Sequence, residues 1–184
     1  MKNQDLFNKL KEGNDKYINA KTCDGDISVD IRKDTATNGQ HPYAIVITCS
    51  DSRVIPESIF NVGIGEIFTI RVAGNVIGKT QLGSIEYAAG HLGCKMIVVL
   101  GHTHCGAVGA ALAGGGEGHV KCLTDAILEA IGAEKDEYKA CGLNVKKGIE
   151  VIEEGLSDSH EVDLSTVDVI GAIYDIESGQ VEFM

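Results

Sequence analysis

The sequence predicts an α/β fold with a mostly parallel central sheet, and three observations support this prediction. Residues 43–47 and 96–100 are continuous apolar runs rich in β-branched side chains, as in strands buried on both faces of a parallel sheet. Segments with helical character alternate with such runs along the chain. The chain has 23 glycines, which suits many tight turns between strands and helices. We expect four parallel strands, an antiparallel edge strand, helices on both faces and an N-terminal helical arm.

Length and composition indicate one domain. The chain has 184 residues, 43% of them apolar, which is enough for a hydrophobic core. Its net charge of −11, without a block of like charges, argues against nucleic acid and anionic membranes as partners. No apolar run approaches the length of a membrane span and the N-terminus lacks a signal-peptide core, so we expect a cytoplasmic protein. Its six cysteines are therefore predicted to be metal ligands or free thiols.

The first 39 residues are predicted to form a separate N-terminal unit. Apolar residues recur at roughly helical spacing over residues 5–19, and this stripe must lie on the chain's own core or on a neighbouring subunit. Residues 21–39 are polar and lack periodicity, so we interpret them as an extended connecting arm. Residues 40–184 are expected to form a single α/β domain.

Five strands are predicted in that domain, and they cover residues 43–47, 66–71, 95–100, 167–174 and 181–183. Helices are predicted between them over residues 56–60, 81–92, 105–113, 120–140 and 143–154. Pro56 suits the first turn of the first of these helices, and Gly93 is placed to end the second. The last two helices are expected to be separated by a break near Cys141 and Gly142. The turn at residues 177–180 makes the final pair of strands a hairpin, hence the antiparallel edge.

Residues 114–118 are glycine-rich but are predicted to form a loop without a ligand. A phosphate-binding loop would follow a strand and end in Lys followed by Ser or Thr. This segment follows a helix instead and lacks that ending.

Side chains that can bind a metal or take part in catalysis directly follow two of the predicted strands. Cys49, Asp51 and Arg53 come after the first strand, and His102 and Cys105 come after the third. Ligands of open α/β sheets bind beyond the carboxyl ends of the strands, so parallel strands would bring Cys49, His102 and Cys105 together. Two thiolates and one imidazole suit zinc, and three protein ligands leave a fourth tetrahedral position for water. The pattern therefore indicates a catalytic rather than a structural zinc site.

The flanking residues add two details and one alternative. Cys105 would begin a helix, whose N-terminus helps to keep a metal-bound thiolate deprotonated. Asp51 and Arg53 are close enough in sequence to form a bidentate ion pair. The alternative interpretation is two buried core cysteines, a capping histidine and a surface ion pair. His104 could also compete with His102 as the imidazole ligand.

At these residues the chain resembles the β-class carbonic anhydrases over most of its length. Residues 49–54, Cys-Ser-Asp-Ser-Arg-Val, and 101–106, Gly-His-Thr-His-Cys-Gly, are similar to the two signature motifs of that family. Further family-like segments occur in order at residues 65–68, 71–75, 84–88 and 171–176. The resemblance implies that Cys49, His102 and Cys105 bind zinc. It also implies that Asp51 and Arg53 form the catalytic dyad.

The resemblance further implies a substrate pocket shared between two chains. Gln40 matches a glutamine that contacts substrate, and Phe68 and Tyr87 match aromatic positions that wall the pocket. We expect Val54 to line it as well, because the substrate is apolar. In the family such residues come from the other chain, so the resemblance implies a homodimer or homotetramer. The N-terminal helix would then lie on the partner.

The expected reaction is the reversible hydration of carbon dioxide to bicarbonate and a proton by zinc-bound hydroxide. Asp51 is expected to orient that hydroxide, or alternatively to close the site as a fourth zinc ligand. Family members that close in this way often have a tryptophan three positions before the first zinc cysteine; here that residue is Val46, which favours the open site. Two other functions stay open. One is carbon disulfide or carbonyl sulfide hydrolysis on the same scaffold, and the other is a non-catalytic zinc or thiol module.

The remaining cysteines are assigned no catalytic role. Cys94 and Cys122 lie in apolar sequence and are predicted to be core residues. Cys23 and Cys141 are predicted to be exposed thiols without a partner.

Overall fold

A five-stranded sheet forms the centre of the protein in this computed structural model, which describes residues 1–184. Its strands are β1 (Ala44–Thr48), β2 (Ile67–Arg71), β3 (Met96–His102), β4 (Asp168–Tyr174) and β5 (Val181–Phe183). They lie in the order β2-β1-β3-β4-β5, with all pairs parallel except β4 with β5. The predicted parallel sheet with one antiparallel edge strand is confirmed.

Seven α-helices accompany the sheet, and none is long and apolar enough to cross a membrane. They are α1 (Gln4–Asn19), α2 (Val29–Asn38), α3 (Pro56–Ile59), α4 (Lys79–Gly90), α5 (Gly106–Leu112), α6 (Val120–Ile131) and α7 (Glu137–Leu156). Two 3₁₀ turns, Ala73–Asn75 and Leu164–Thr166, complete the structure.

The side chains of β1 show how the sheet is covered on both faces. Ala44 and Val46 belong to one core with residues of α1 and α3, whereas Ile45 and Ile47 belong to a second core with residues of α4 and α7. All four side chains are fully buried. Successive residues of a strand point to opposite faces, so this burial requires that both faces of the sheet are covered. Helices on both faces are therefore confirmed, and the continuous apolar run of β1 is explained.

Helix α1 packs on the core of its own chain. Leu10 is fully buried in the first core, and a Cβ at Gly13 would lie 2.0 Å from the Phe60 carbonyl oxygen, so the helix passes very close to the end of α3. Asn14 is buried beside them, donating to the carbonyl oxygens of Ile59 and Gly179. The apolar stripe thus has a partner within the chain. Contact of the same helix with another subunit stays a prediction.

The N-terminus of α1 is fastened to the sheet by Asp168. Its carboxylate accepts hydrogen bonds from the backbone N–H groups of Lys2, at 2.7 Å, and Asn3, at 2.6 Å. Burial alone would raise the pKa of Asp168, but these bonds and one from the Asn3 side chain hold it below its ordinary value of 3.8. A carboxyl group with a depressed pKa stabilises the fold above its unfolded pKa, and this stabilisation is lost as the pH falls through the folded value.

We therefore expect Asp168→Asn to lower the Tm at neutral pH by about 2–4 °C, the shift that ~1 kcal/mol produces in a domain of this size. The difference from the wild type should shrink as the pH falls below about 4, where the wild-type carboxylate begins to take up a proton. Thermal melts of both proteins across this pH range measure the effect. A Tm difference that does not change with pH would contradict this role of the charge.

Residues 21–39 differ from the prediction, because the expected extended arm contains the ten-residue helix α2. The Ser28 hydroxyl accepts a hydrogen bond from the Ile31 N–H and caps the start of α2, while Gly39, with φ of +81°, follows its end. No residue of α2 is buried, so the sequence carries no apolar periodicity that would reveal it.

The predicted break near Cys141 and Gly142 is also wrong. Helix α6 ends at Gly132, which has φ of +56°, and α7 begins after Asp136, whose carboxylate accepts from the Lys139 N–H at 2.9 Å. Helix α7 then runs without interruption through Gly142. The glycine that ends the helix is Gly132 rather than Gly142, and the sequence does not distinguish the two because a glycine inside a helix and one beyond its end have the same local signal.

Candidate metal centre

The two parallel strands β1 and β3 bring the predicted ligands to one edge of the sheet. Thr48 at the end of β1 is in register with Leu100 of β3, so Cys49 follows β1 close to the end of β3. Strand β3 extends two residues beyond the prediction, and His102 is its last residue, paired with Tyr174 of β4. Cys105 is the N-cap residue of α5. The backbone thus holds all three positions through regular structure.

The three side chains form a compact cluster. The Cys49 and Cys105 sulfurs and one His102 ring nitrogen all lie within 4.8 Å of one another, and all three residues are buried. His104 is outside the cluster, and its side chain is 68% exposed. The geometry therefore selects His102 and not His104 as the imidazole of this group.

The state of the His102 ring fits a metal ligand. Its Nδ1 lies 2.9 Å from the Thr103 carbonyl oxygen, a hydrogen bond that requires the proton on Nδ1. Its Nε2 is buried without a hydrogen-bond partner, and in the neutral ring with the proton on Nδ1 this nitrogen carries the unshared electron pair. A buried polar atom without a partner is costly, and a metal ion satisfies it. A hydrogen bond from Nδ1 to a carbonyl oxygen is the usual way of fixing the tautomer of a metal-binding histidine.

The two thiols also suit a divalent cation. The interaction between the two neighbouring thiols lowers the pKa of Cys49 and raises that of Cys105. The Gly74 N–H also donates to the Cys49 sulfur, at 3.2 Å. A divalent metal ion would be held by both sulfurs as thiolates. Two sulfurs and one nitrogen match the ligand set of a three-ligand zinc site.

Beside the cluster, Asp51 and Arg53 form a bidentate ion pair. Arg53 donates from Nε to Oδ1, at 3.0 Å, and from Nη2 to Oδ2, at 2.8 Å. The Arg53 backbone N–H also donates to Oδ1, at 2.9 Å, and Nη2 donates to the His104 carbonyl oxygen. The Arg53 side chain holds the pKa of Asp51 well below its usual range, so the carboxylate is ionised at neutral pH. Both of its oxygens are engaged by Arg53, an arrangement that favours the open site.

Four residues support the cluster although the sequence analysis predicts no role for them at the site. Arg71 donates to the carbonyl oxygens of Cys49 and Asp51, and Gly74 donates to the Cys49 sulfur. From α7, Asn144 donates to the Gly74 carbonyl oxygen and Cys141 to that of His102. Arg71 and Gly74 lie in a segment that looks family-like, and a Gly-Asn pair signals a turn. No comparable signal marks Cys141 and Asn144.

Two of the cysteine predictions are corrected by these contacts. Cys141 is buried rather than exposed, because α7 is continuous and directs it toward His102. Cys122 is exposed rather than in the core. It lies on the surface of α6 and donates to the His119 carbonyl oxygen. Cys23 is exposed and Cys94 buried, as predicted.

The predicted pocket residues do not gather around the cluster of the same chain. Gln40 precedes β1, and the whole strand, about 16 Å long, separates it from Cys49. Phe68 pairs with Ile45. Ile45 precedes Cys49 by four residues, a distance of about 13 Å along the strand. The rings of Phe68 and Tyr87 lie 6.3 Å apart, so these two form a common surface. Val54 is fully buried in the first core.

Fold and cluster together define an α/β metalloprotein with a Cys₂His site suited to zinc. The profile of the carbonic anhydrase family matches residues 44–181. A carbonic anhydrase of Mycolicibacterium smegmatis is 34% identical over 190 residues, covering 94% of this chain and 89% of that protein. The chain belongs to the β-carbonic anhydrase family, whose metal is zinc.

Further relatives agree with this assignment. Carbonic anhydrase 2 of Mycobacterium tuberculosis is 50% identical over 104 residues, a match that covers 56% of this chain and about half of that protein's length. The β-carbonic anhydrase CafA of Aspergillus fumigatus has 30% identity and a TM-score of 0.69, covering 84% of this chain and 81% of its own. A tetrameric β-carbonic anhydrase of Sordaria macrospora has 28% identity and a TM-score of 0.70, covering 85% and 87%.

Proposed function

We propose that the protein catalyses the reversible hydration of carbon dioxide to bicarbonate and a proton, with zinc held by Cys49, His102 and Cys105. The observation that carries this proposal is the buried Cys₂His cluster beside the Asp51–Arg53 ion pair. A zinc site that only stabilised the fold would use four protein ligands and would have no need of the ion pair. The relatives named carbonic anhydrase support the same reaction.

The residues of the chain have distinct roles in this proposal. Bound zinc supplies a nucleophile at neutral pH by lowering the pKa of water from about 15.7 to about 7. The Asp51 carboxylate would accept a hydrogen bond from that water and orient it toward the carbon of the substrate. Arg53 keeps Asp51 ionised and, by engaging both carboxylate oxygens, keeps it away from the metal. Arg71 holds the backbone on either side of Ser50, which fixes the ion pair relative to Cys49.

A stopped-flow assay of carbon dioxide hydration by the zinc-loaded protein tests the reaction. We expect both hydration of carbon dioxide and dehydration of bicarbonate. Added chelator should remove both activities. The same protein is assayed with carbonyl sulfide and carbon disulfide, with analysis of the sulfide released. Release of sulfide without hydration of carbon dioxide would replace the proposal by the hydrolase alternative. If the protein had neither activity, the non-catalytic zinc module would be the remaining interpretation.

The substrate pocket is proposed to form between two chains of a homodimer or homotetramer. Gln40 and the Phe68–Tyr87 surface are too far along the strands to reach their own cluster, yet Tyr87 is 46% exposed and available to a second chain. Strand β2, which carries Phe68, is an edge strand of the sheet and is open to such a neighbour. The Sordaria macrospora relatives are tetrameric, which supports association.

Mixing two variants tests whether Gln40 acts across that interface. Gln40→Ala is expected to lower kcat/KM about tenfold, the effect of one hydrogen bond of ~1.4 kcal/mol to the substrate. Cys49→Ser is expected to be inactive. When the two are unfolded and refolded together, a hybrid dimer has one site with an intact zinc cluster and an intact Gln40 from the other chain.

The mixture should therefore regain up to about a quarter of the wild-type sites, because half of the symmetric dimers are hybrids with one complete site each. The measurement is stopped-flow activity before and after refolding, with the two variants refolded separately as controls. Activity no greater than the mean of the separate variants would place Gln40 in the site of its own chain or outside any site.

We further propose that the protein acts in the cytoplasm. All six of its cysteines are free, and the cluster requires two of them as thiolates. A reducing compartment preserves that state. Fractionation of cells with an antibody to the native chain checks the location.

A further inference from the structure

Helix α7 contacts both halves of the metal centre, although no residue of this helix belongs to the cluster. Cys141 donates a hydrogen bond from its thiol to the His102 carbonyl oxygen, at 3.2 Å. Three residues later, Asn144 donates from Nδ2 to the Gly74 carbonyl oxygen, at 2.8 Å. Residues three apart lie on the same face of a helix, so one face of α7 reaches both the backbone of the ligand His102 and the Gly74 turn that contacts the Cys49 sulfur.

The Gly74 contact leads directly to a metal ligand. The N–H of Gly74 donates to the Cys49 sulfur, while its carbonyl oxygen accepts from Asn144. Asn144 is 6% exposed, and Gly74 is buried as well. A continuous hydrogen-bonded path, two bonds long, therefore joins the middle of α7 to one of the two sulfurs.

The conformation of Gly74 needs external support. Gly74 and Asn75 both have positive φ, of +69° and +45°, so two consecutive residues lie in the left-handed region. A Cβ at Gly74 would lie 2.7 Å from the Ile127 Cδ1 methyl carbon and 3.0 Å from the Ala107 Cβ, so the positive φ and the close contacts both favour glycine there. Glycine is the most flexible residue, so its backbone alone does not fix the direction of its N–H. Asn144 holds the carbonyl oxygen of the following peptide group and so limits the rotation about Gly74 that would turn its N–H away from the sulfur.

We propose that Asn144 is a positioning residue of the metal centre, which holds the Gly74 N–H on the Cys49 sulfur and thereby moderates electron donation from this thiolate to the metal. An N–H donor withdraws charge from a thiolate, and donors that hydrogen-bond to a metal ligand in this way tune both metal affinity and the electronic character of the site. The proposal rests on the metal centre but not on the proposed reaction.

The test compares two substitutions of Asn144 with a matched control. Asn144→Asp keeps the size of the side chain but, ionised, has no N–H to donate, and Asn144→Ala removes the contact altogether. The control is Asn14→Ala, which removes another buried asparagine that hydrogen-bonds to backbone, on α1 and away from the metal centre. Zinc affinity is measured by chelator competition, and the cobalt(II) form is examined by its sulfur-to-metal charge-transfer absorption.

We expect zinc affinity to fall about 10- to 100-fold in both Asn144 variants, as is usual when the hydrogen-bond support of a metal ligand is lost. The charge-transfer band should move to longer wavelength, because a thiolate with a weaker hydrogen bond is more easily oxidised by the metal. Asn14→Ala should change the Tm but neither zinc affinity nor the band. Folded Asn144 variants with wild-type affinity and wild-type absorption would overturn the proposal, as would an equal band shift in Asn14→Ala.

The wild-type protein provides a measurement that does not depend on the variants being folded. In protein substituted with ¹¹³Cd, a hydrogen bond to a metal-bound sulfur transmits scalar coupling from the metal to the donor proton. We expect such coupling at the Gly74 amide proton, and its absence would overturn the proposal. None of these readouts uses carbon dioxide, so failure of the proposed reaction and failure of this inference give different results.

Discussion

Cys49→Ser is expected to lose both zinc and all measurable hydration of carbon dioxide. Serine offers a hydroxyl in place of a thiolate, and only His102 and Cys105 would then remain to hold the ion. Without zinc the water pKa returns from about 7 to about 15.7, so hydroxide at the site falls by roughly eight orders of magnitude. Metal content per chain and stopped-flow kinetics on the same preparation measure the two losses together.

The matched control for this substitution is Cys94→Ser. Cys94 is also buried, but it lies in the second core and donates to the Pro42 carbonyl oxygen, a bond that serine can replace. We expect this variant to keep its zinc and its activity, with at most a small decrease in Tm. Retention of stoichiometric zinc by Cys49→Ser, or loss of zinc by Cys94→Ser, would contradict the assigned cluster.

Asp51→Asn is expected to keep zinc and to lower kcat by about 10²- to 10⁴-fold, the usual contribution of a positioned general acid–base group. The amide has nearly the same shape as the carboxylate but lacks its charge. It also presents an NH₂ group to Arg53, so the two-pronged ion pair cannot form. The attacking water then loses its oriented acceptor. Stopped-flow kinetics and metal analysis separate an effect on the reaction from an effect on zinc binding.

Glu137→Gln provides a control for the change in charge near the site. Glu137 lies 4.0 Å from the exposed His104 ring and is not part of the ion pair or the cluster. We expect its substitution to leave kcat within about twofold, since exposed ion pairs contribute little. Full activity in zinc-loaded Asp51→Asn would remove Asp51 from the mechanism. Loss of zinc from that variant would instead indicate that Asp51 binds the metal.

The central sheet and the cluster were predictable because their signals are local. Strands β1 and β3 are buried on both faces, so their apolar runs identify them, and their bounds differ from the prediction by only one or two residues. Parallel pairing then places the residues after each strand at one edge. The convergence of Cys49, His102 and Cys105 follows from these two facts, and the structure confirms it.

What the sequence did not reveal depends on contacts between distant residues. Helix α2 buries no side chain and so has no periodic pattern. The bond from Asn144 to Gly74 joins residues 70 positions apart, and an asparagine inside a helix has no local feature that indicates such a partner. The burial of Cys141 likewise became apparent only from the uninterrupted course of α7.

Because His102 ends a strand hydrogen-bonded within the sheet, the scaffold of the site is built without the ion. Zinc should then bind to and leave a preformed site without a folding transition, in contrast to zinc fingers, which fold only when the metal binds. Stripped protein should keep its secondary structure, accept cobalt or cadmium in the same place, and recover when zinc is returned. Such tolerance makes the chain a convenient host for spectroscopic metals.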